Sequence, residues 1–341
     1  MKDPITASAV YNQAALIASD AGESDTARAM CHQHAAAYLH AAPLTGRTAI
    51  RALEPVVNLA RLQIRAGQAD KGHEYLLTLF DAVSTGTPAH IEDIAVPADL
   101  TATAEDRHEV RAWLWSVVLA DGTRALTSAG RWAEALGHVE IHRGVGQRML
   151  DGRQVAVLAA LTSGNTLGAS SLLAHTAPGE SWEGAVTDCL TVLCRRMSGS
   201  PWRRALRDLV AAYLERPDQD GMAVFNTRLG LAVLDVIDSA EDPAARLVIT
   251  ELHRRTMKTT DGYAARETLT HPFFKALATD QQTQDCRALL RNCALEAGTL
   301  PEELSDQLTA ALRTSDRVIR RSLDTSSGIA QTEENDLDQK V

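Results

Sequence analysis

Residues 113–153 hold the residue types that could carry out chemistry. Val110, Trp113, Leu114 and Val117 recur at helical spacing, and the same line runs on into Asp121 and Arg124. A second line, Trp132, Leu136 and Val139, runs on to His142, Arg143 and Met149, with His138 one turn before His142. A turn at Gly130 folds the two lines together and sets their polar ends opposite each other. Guanidinium groups grip carboxylates and phosphates through paired hydrogen bonds, so Arg124, Arg143 and Arg148 make a candidate pocket for an anionic small molecule. Trp113 or Trp115 would form its apolar wall, and the turn Asp151-Gly152-Arg153 would close its end. His142 is the acid-base candidate if the pocket is that of an all-α enzyme or ligand sensor, because an unperturbed imidazole titrates near neutrality. The plain alternative is an ion network in which Asp121 pairs with Arg124 or Arg143 and fixes helix register.

Other chemistries are not supported by their spacing. His73-Glu74 and His108-Glu109 each begin a zinc-protease pair, but Leu77 and Ala112 stand where the second histidine is needed. His32 and His34 are two apart, point in different directions on a helix and are read as solvated or capping. Asp235, Asp238, Glu241 and Asp242 end a helix ahead of Pro243. Gly144-Val145-Gly146 follows no strand and cannot serve as a phosphate-binding turn. No cofactor and no metal are expected.

The 341 residues suffice for two ordinary domains or one elongated array, with 45% hydrophobic residues to build a core. Aromatics are only 4%, so Ala, Leu and Val must fill that core, which favours closely packed helices. A net charge of −10 without a basic stripe argues against nucleic acid as a partner. The five cysteines are odd in number, lack a C-x-x-C pair and read as buried thiols. The N-terminal residues lack a signal-peptide layout and no run is apolar enough for a membrane span, so the expectation is a cytoplasmic protein.

The periodicity predicts helices over 5–21, 24–41, 47–66, 69–85, 105–129, 131–149, 152–163, 166–176, 181–198, 201–215, 221–239, 243–258, 262–278, 281–297 and 301–323. Segment 86–104, with two prolines, reads as an insertion between hairpins, either a functional loop or a surface excursion with Ile91, Ile94 and Val96 tucked onto the array. Three regions follow: helical hairpins over 1–177, a further array or second all-α domain over 178–323, and a disordered acidic tail over 324–341. Arg313, Arg317, Arg320 and Arg321 share a helix face just before that tail and read as a solvated face shielded by the tail or, more sharply, as a docking helix for an acidic partner.

Four turns repeat one pattern, a small residue and Gly closing one helix with another small residue five positions on. They are Ala21-Gly22 with Ala27, Ala66-Gly67 with Gly72, Ala129-Gly130 with Ala135, and Ser163-Gly164 with Ala169. On these turns the chain resembles the tetratricopeptide repeat superfamily. Residues 107–153 also look like uncharacterised repeat proteins of high-GC bacteria. The resemblance implies a right-handed solenoid of helical hairpins, all-α, whose groove receives a protein or peptide. Tetratricopeptide regulators usually carry a separate DNA-binding domain, and the array here begins near residue 5. Exposed helix faces at the ends of such an array leave room for a homo-oligomer.

Overall fold

Asp3 accepts hydrogen bonds from the backbone N–H groups of Ile5 and Thr6, and Pro4 supplies a first helical residue that has no N–H to satisfy. The first helix starts there. The computed structural model describes residues 3–338 apart from 294 and 296, with side chains through residue 325. In order the elements are α1 (Pro4–Asp20), α2 (Ser24–Leu39), α3 (Gly46–Arg65), α4 (Ala69–Thr85), β1 (Ala89–Ile91), β2 (Ile94–Val96) and α5 (Ala104–Val117). A π-helical turn, Val118–Gly122, leads into α6 (Thr123–Ser128), α7 (Trp132–Ile141), α8 (Asp151–Thr162), α9 (Thr166–Ala174), α10 (Ser181–Met197) and α11 (Arg203–Glu215). Then come α12 (Ala223–Val236), α13 (Pro243–Thr259), α14 (Gly262–Thr270), α15 (Pro272–Leu277), α16 (Asp280–Asn292) and α17 (Glu302–Asp338). Among the described residues the chain is therefore all-α with one small antiparallel hairpin, and no helix is long and apolar enough to cross a membrane.

Two compact units form, Met1–Arg131 with Glu296–Val341, and Trp132–Leu295. The division expected near residue 178 falls inside the second unit. Periodicity is local and could not show that α17 belongs with the N-terminal helices. It does so because Leu312, Ile319 and Leu323 join the core that holds Ala7, Tyr11, Ala14 and Leu53. The backbone of α17 continues through the segment expected to be a disordered tail as far as Asp338, and residues 339–341 lie outside the described ones.

The repeated turns all have one geometry. Gly22, Gly67, Gly130 and Gly164 have φ of 91°, 78°, 71° and 78°, the left-handed region in which Gly meets no Cβ penalty. In each, the N–H one residue further on reaches back over the helix end, as from Glu23 to the Ala18 carbonyl at 2.9 Å and from Gln68 to that of Gln63 at 2.9 Å. The small residue that follows is buried in all four cases. At Gly72 the reason is contact: a Cβ would stand 2.7 Å from the Ala60 carbonyl oxygen. A fifth turn of this kind follows α10 at Gly199, with φ of 70°, and there Arg204 stands where the other four turns have a small residue.

In the second unit several expected helices end early, among them the one read over 281–297, which stops at Asn292. The helix read over 131–149 ends at Ile141, and residues 142–150 are loop. Pro272 divides the helix read over 262–278 at His271, since it has no N–H to continue the ladder. The main core of this unit gathers Tyr213, Leu229, Leu234, Val248, Leu252 and Phe274, and a smaller one gathers Met149, Val157, Leu161 and Leu190.

Candidate functional site

In the first unit a groove of about 400 Å³ runs between α1, α3 and α5. Leu16, Leu62, Trp113 and Val117 supply apolar lining, and a chain of polar groups runs between them. Asn12 donates to Glu54 at 2.8 Å, Asn58 donates to Asn12 at 3.0 Å, and Arg61 donates to Asn58 at 3.1 Å. Arg61 then reaches Asp121, with Nε at 2.9 Å and Nη2 at 2.8 Å from Oδ2.

Asp121 sits in the π-helical turn after α5 and is 3% exposed. Arg124 approaches its other oxygen at 3.2 Å. Of the two partners the sequence offered, Arg124 and Arg143, the first is the one that meets Asp121, and sequence reading missed Arg61, which is 60 residues away and joins only through the packing of α3 on α5. Asn12 and Asn58 were also missed. Their signal was present: Asn in a helix interior competes with the backbone for hydrogen bonds and is poorly suited to that place unless its amide has a partner. Trp113 lines the groove, whereas Trp115, 40% exposed, is not part of its lining.

No family model, no curated protein and no solved structure matches the chain. Function therefore has to be read from the geometry of its own residues.

The other expected site residues, His138, His142, Arg143, Arg148 and Arg153, belong to the second unit. The His138 and His142 rings lie 4.6 Å apart with a 58° tilt. Arg148 pairs with the buried carboxylate of Glu183, its Nε at 3.2 Å and its Nη2 closer still, and this holds the Glu183 carboxyl below its ordinary value. Arg153, 6% exposed, donates to the Gly146 carbonyl at 2.9 Å, the Leu172 carbonyl at 2.6 Å and the Thr176 hydroxyl at 2.9 Å. Arg148 thus ties the loop after α7 to α10, and Arg153 ties the same loop to the end of α9.

Arg143 is not on the helix face that periodicity assigned it, because α7 has already ended. Its φ is 53°, and the N–H of Gly144 bonds back to the Val139 carbonyl at 2.7 Å, so Arg143 fills the left-handed cap position usually held by Gly. Arg143→Gly is expected to raise the stability of the second unit by about 1 kcal/mol by relieving that backbone. A urea denaturation midpoint above wild type checks this, while a lower midpoint would show that side-chain contacts of Arg143 outweigh the strain.

The insertion between α4 and α5 builds a further constellation that sequence reading did not contain. Ile91, Ile94 and Val96 are buried, as expected, and their hairpin carries Glu92 at its tip. The Glu92 side chain is 8% exposed and accepts hydrogen bonds from Arg28 at 2.8 Å, His32 at 3.0 Å, Gln63 at 3.0 Å and Tyr75 at 3.4 Å. Burial pushes its carboxyl up, but His32, Gln63 and the Arg28 charge together hold it below the ordinary carboxylate value. One carboxylate thereby ties α2, α3 and α4 together. His32 is thus a partner of Glu92, and His34 is a core residue, 1% exposed. Neither has the solvated or capping role expected of it.

Proposed function

We propose that the first unit is an interaction module whose groove between α1, α3 and α5 receives an extended peptide segment of a partner protein. The polar line from Asn12 through Asn58 and Arg61 to Asp121 carries this reading. An amide side chain offers both a donor and an acceptor, the complement of a peptide backbone, and a row of such groups reads a main chain without demanding one sequence. Leu16, 49% exposed at the rim, and Trp113 give an apolar footing for side chains of the bound segment. The tetratricopeptide-like reading of the hairpins belongs to this proposal, supported by the shared turn geometry and the buried small residue after each turn. So does a cytoplasmic location, supported by five free cysteines.

The test is to pan a random peptide display library against the full chain and measure the recovered peptides against an Asn12→Ala/Asn58→Ala variant. Loss of two neutral hydrogen bonds, about 1 kcal/mol each, predicts affinity weaker by about thirtyfold with unchanged circular dichroism. Recovered peptides that bind both proteins equally would remove the groove from consideration.

A further inference from the structure

A second groove in the first unit, about 810 Å³ in volume, runs between α2 and α17 over Tyr11 of α1. Its lining covers residues 26–36 of α2 and 309–320 of α17, about three helical turns or ~15 Å on each side. The α2 wall is apolar at Ala29, Met30 and Ala36, with the neutral Thr26 and Gln33 beside them. The α17 wall is cationic, with Arg313, Arg317 and Arg320 on one stripe. Asp316 is the one carboxylate in the lining, and it is taken by Arg320 at 3.0 and 3.1 Å. Among the described residues, Arg313 and Arg317 have no carboxylate partner. Two unopposed guanidinium groups one turn apart, beside an apolar wall, fit an acidic amphipathic helix.

The chain itself contains such a segment. Residues Glu333-Glu334-Asn335-Asp336-Leu337-Asp338 hold four carboxylates and no base. We propose that this groove receives the acidic C-terminal segment of a second copy of the chain, and that two copies exchange these segments. Glu334 and Asp338 are four residues apart, as are Arg313 and Arg317. A single antiparallel register sets Arg313 against Asp338 and Arg317 against Glu334. Two-fold symmetry repeats both pairs in the other groove, which makes the contact self-complementary and closed. A chain's own segment does not serve, since α17 runs unbroken to Asp338 and puts Glu334 about 25 Å along the axis from Arg317. The exchange is independent of the peptide groove between α1, α3 and α5.

Sedimentation velocity of the full chain over a concentration series tests the exchange. Wild type is expected to form a dimer that weakens as salt is raised. Truncation after Thr325, Arg313→Glu/Arg317→Glu, and Glu334→Arg/Asp338→Arg should each raise the dimer dissociation constant by at least about tenfold, with helicity retained by circular dichroism. An equimolar mixture of the two charge-reversed variants should recover the dimer, because every pair across the mixed interface is again of opposite charge. A wild type that stays monomeric at high micromolar concentration would overturn the inference. So would a dimer indifferent to the truncation, or a carboxylate–amine crosslink of an Arg317→Lys chain to residue 334 found only within monomers.

Discussion

Glu92→Ala is expected to destabilise the first unit by about 3 kcal/mol, the cost of removing a buried carboxylate that satisfies four donors on three helices. Arg28 is 39% exposed on its side chain and recovers hydration, which keeps the loss below that of a fully buried pair. For a unit of this size the thermal midpoint should fall by roughly 6–12 °C. Glu92 also has φ of 52° at the first of two turn residues, a position hairpins usually give to Gly. Its backbone is held there by the carboxylate's partners. Glu92→Gly should therefore be less damaging than Glu92→Ala by about 1 kcal/mol, although it removes the same contacts. Equal midpoints for the two variants would show that the turn stores no strain, and a wild-type midpoint for both would show that the carboxylate does not hold the hairpin.

The second large effect is acid sensitivity arising from His34. Its ring is stacked on Tyr11 at 4.8 Å between centroids with 3° between planes, and Nε2 lies 2.8 Å from the Ser8 hydroxyl. Burial pushes its pKa down to about 3 from an ordinary value near 6.5. The folded state thus refuses a proton that the unfolded state accepts. Stability is at its full value above about pH 6.5, declines by about 1.4 kcal/mol per pH unit below it, and stops declining near the folded value. Between pH 7 and pH 5 the loss comes to about 2 kcal/mol. Glu92 adds its own loss only lower, because its depressed pKa confers stability that is full above about 4.5 and disappears as pH falls through the folded value. Denaturation of the wild type and His34→Gln across this range separates the two, since the variant should lose most of the slope between pH 7 and 5. A slope that survives the substitution unchanged would assign the acid sensitivity to other groups.

The parts of the site that could be read directly were the ones whose partners lie close in the chain. Arg124 meets Asp121 one turn later, one of the two pairings that the sequence offered. Arg61, Asn12 and Asn58 come to the groove from two earlier helices, and Arg28, His32, Gln63 and Tyr75 converge on Glu92 from three. Neither convergence leaves a mark in spacing. Arg143 shows the opposite error, since a heptad-like continuation through residue 149 ignored the stop at Arg143-Gly144. Apolar periodicity records which face a residue would take if the helix went on, and it carries no information on whether the helix goes on.

Helix content, the left-handed Gly turns and the burial of the small residues after them were determined by the sequence alone. Each follows from interactions within a few residues: the Ala- and Leu-rich helical period, the absent Cβ of Gly at positive φ, and the need for close approach at Ala27, Gly72, Ala135 and Ala169. Only the tertiary structure decided that α17 returns to the first unit, that Asp121 is held by Arg61, and that Glu92 fills the space between α2, α3 and α4. Those outcomes rest on contacts between segments tens to hundreds of residues apart. Many pairings of helix faces satisfy the same local pattern, and the choice among them belongs to the summed packing of the whole unit.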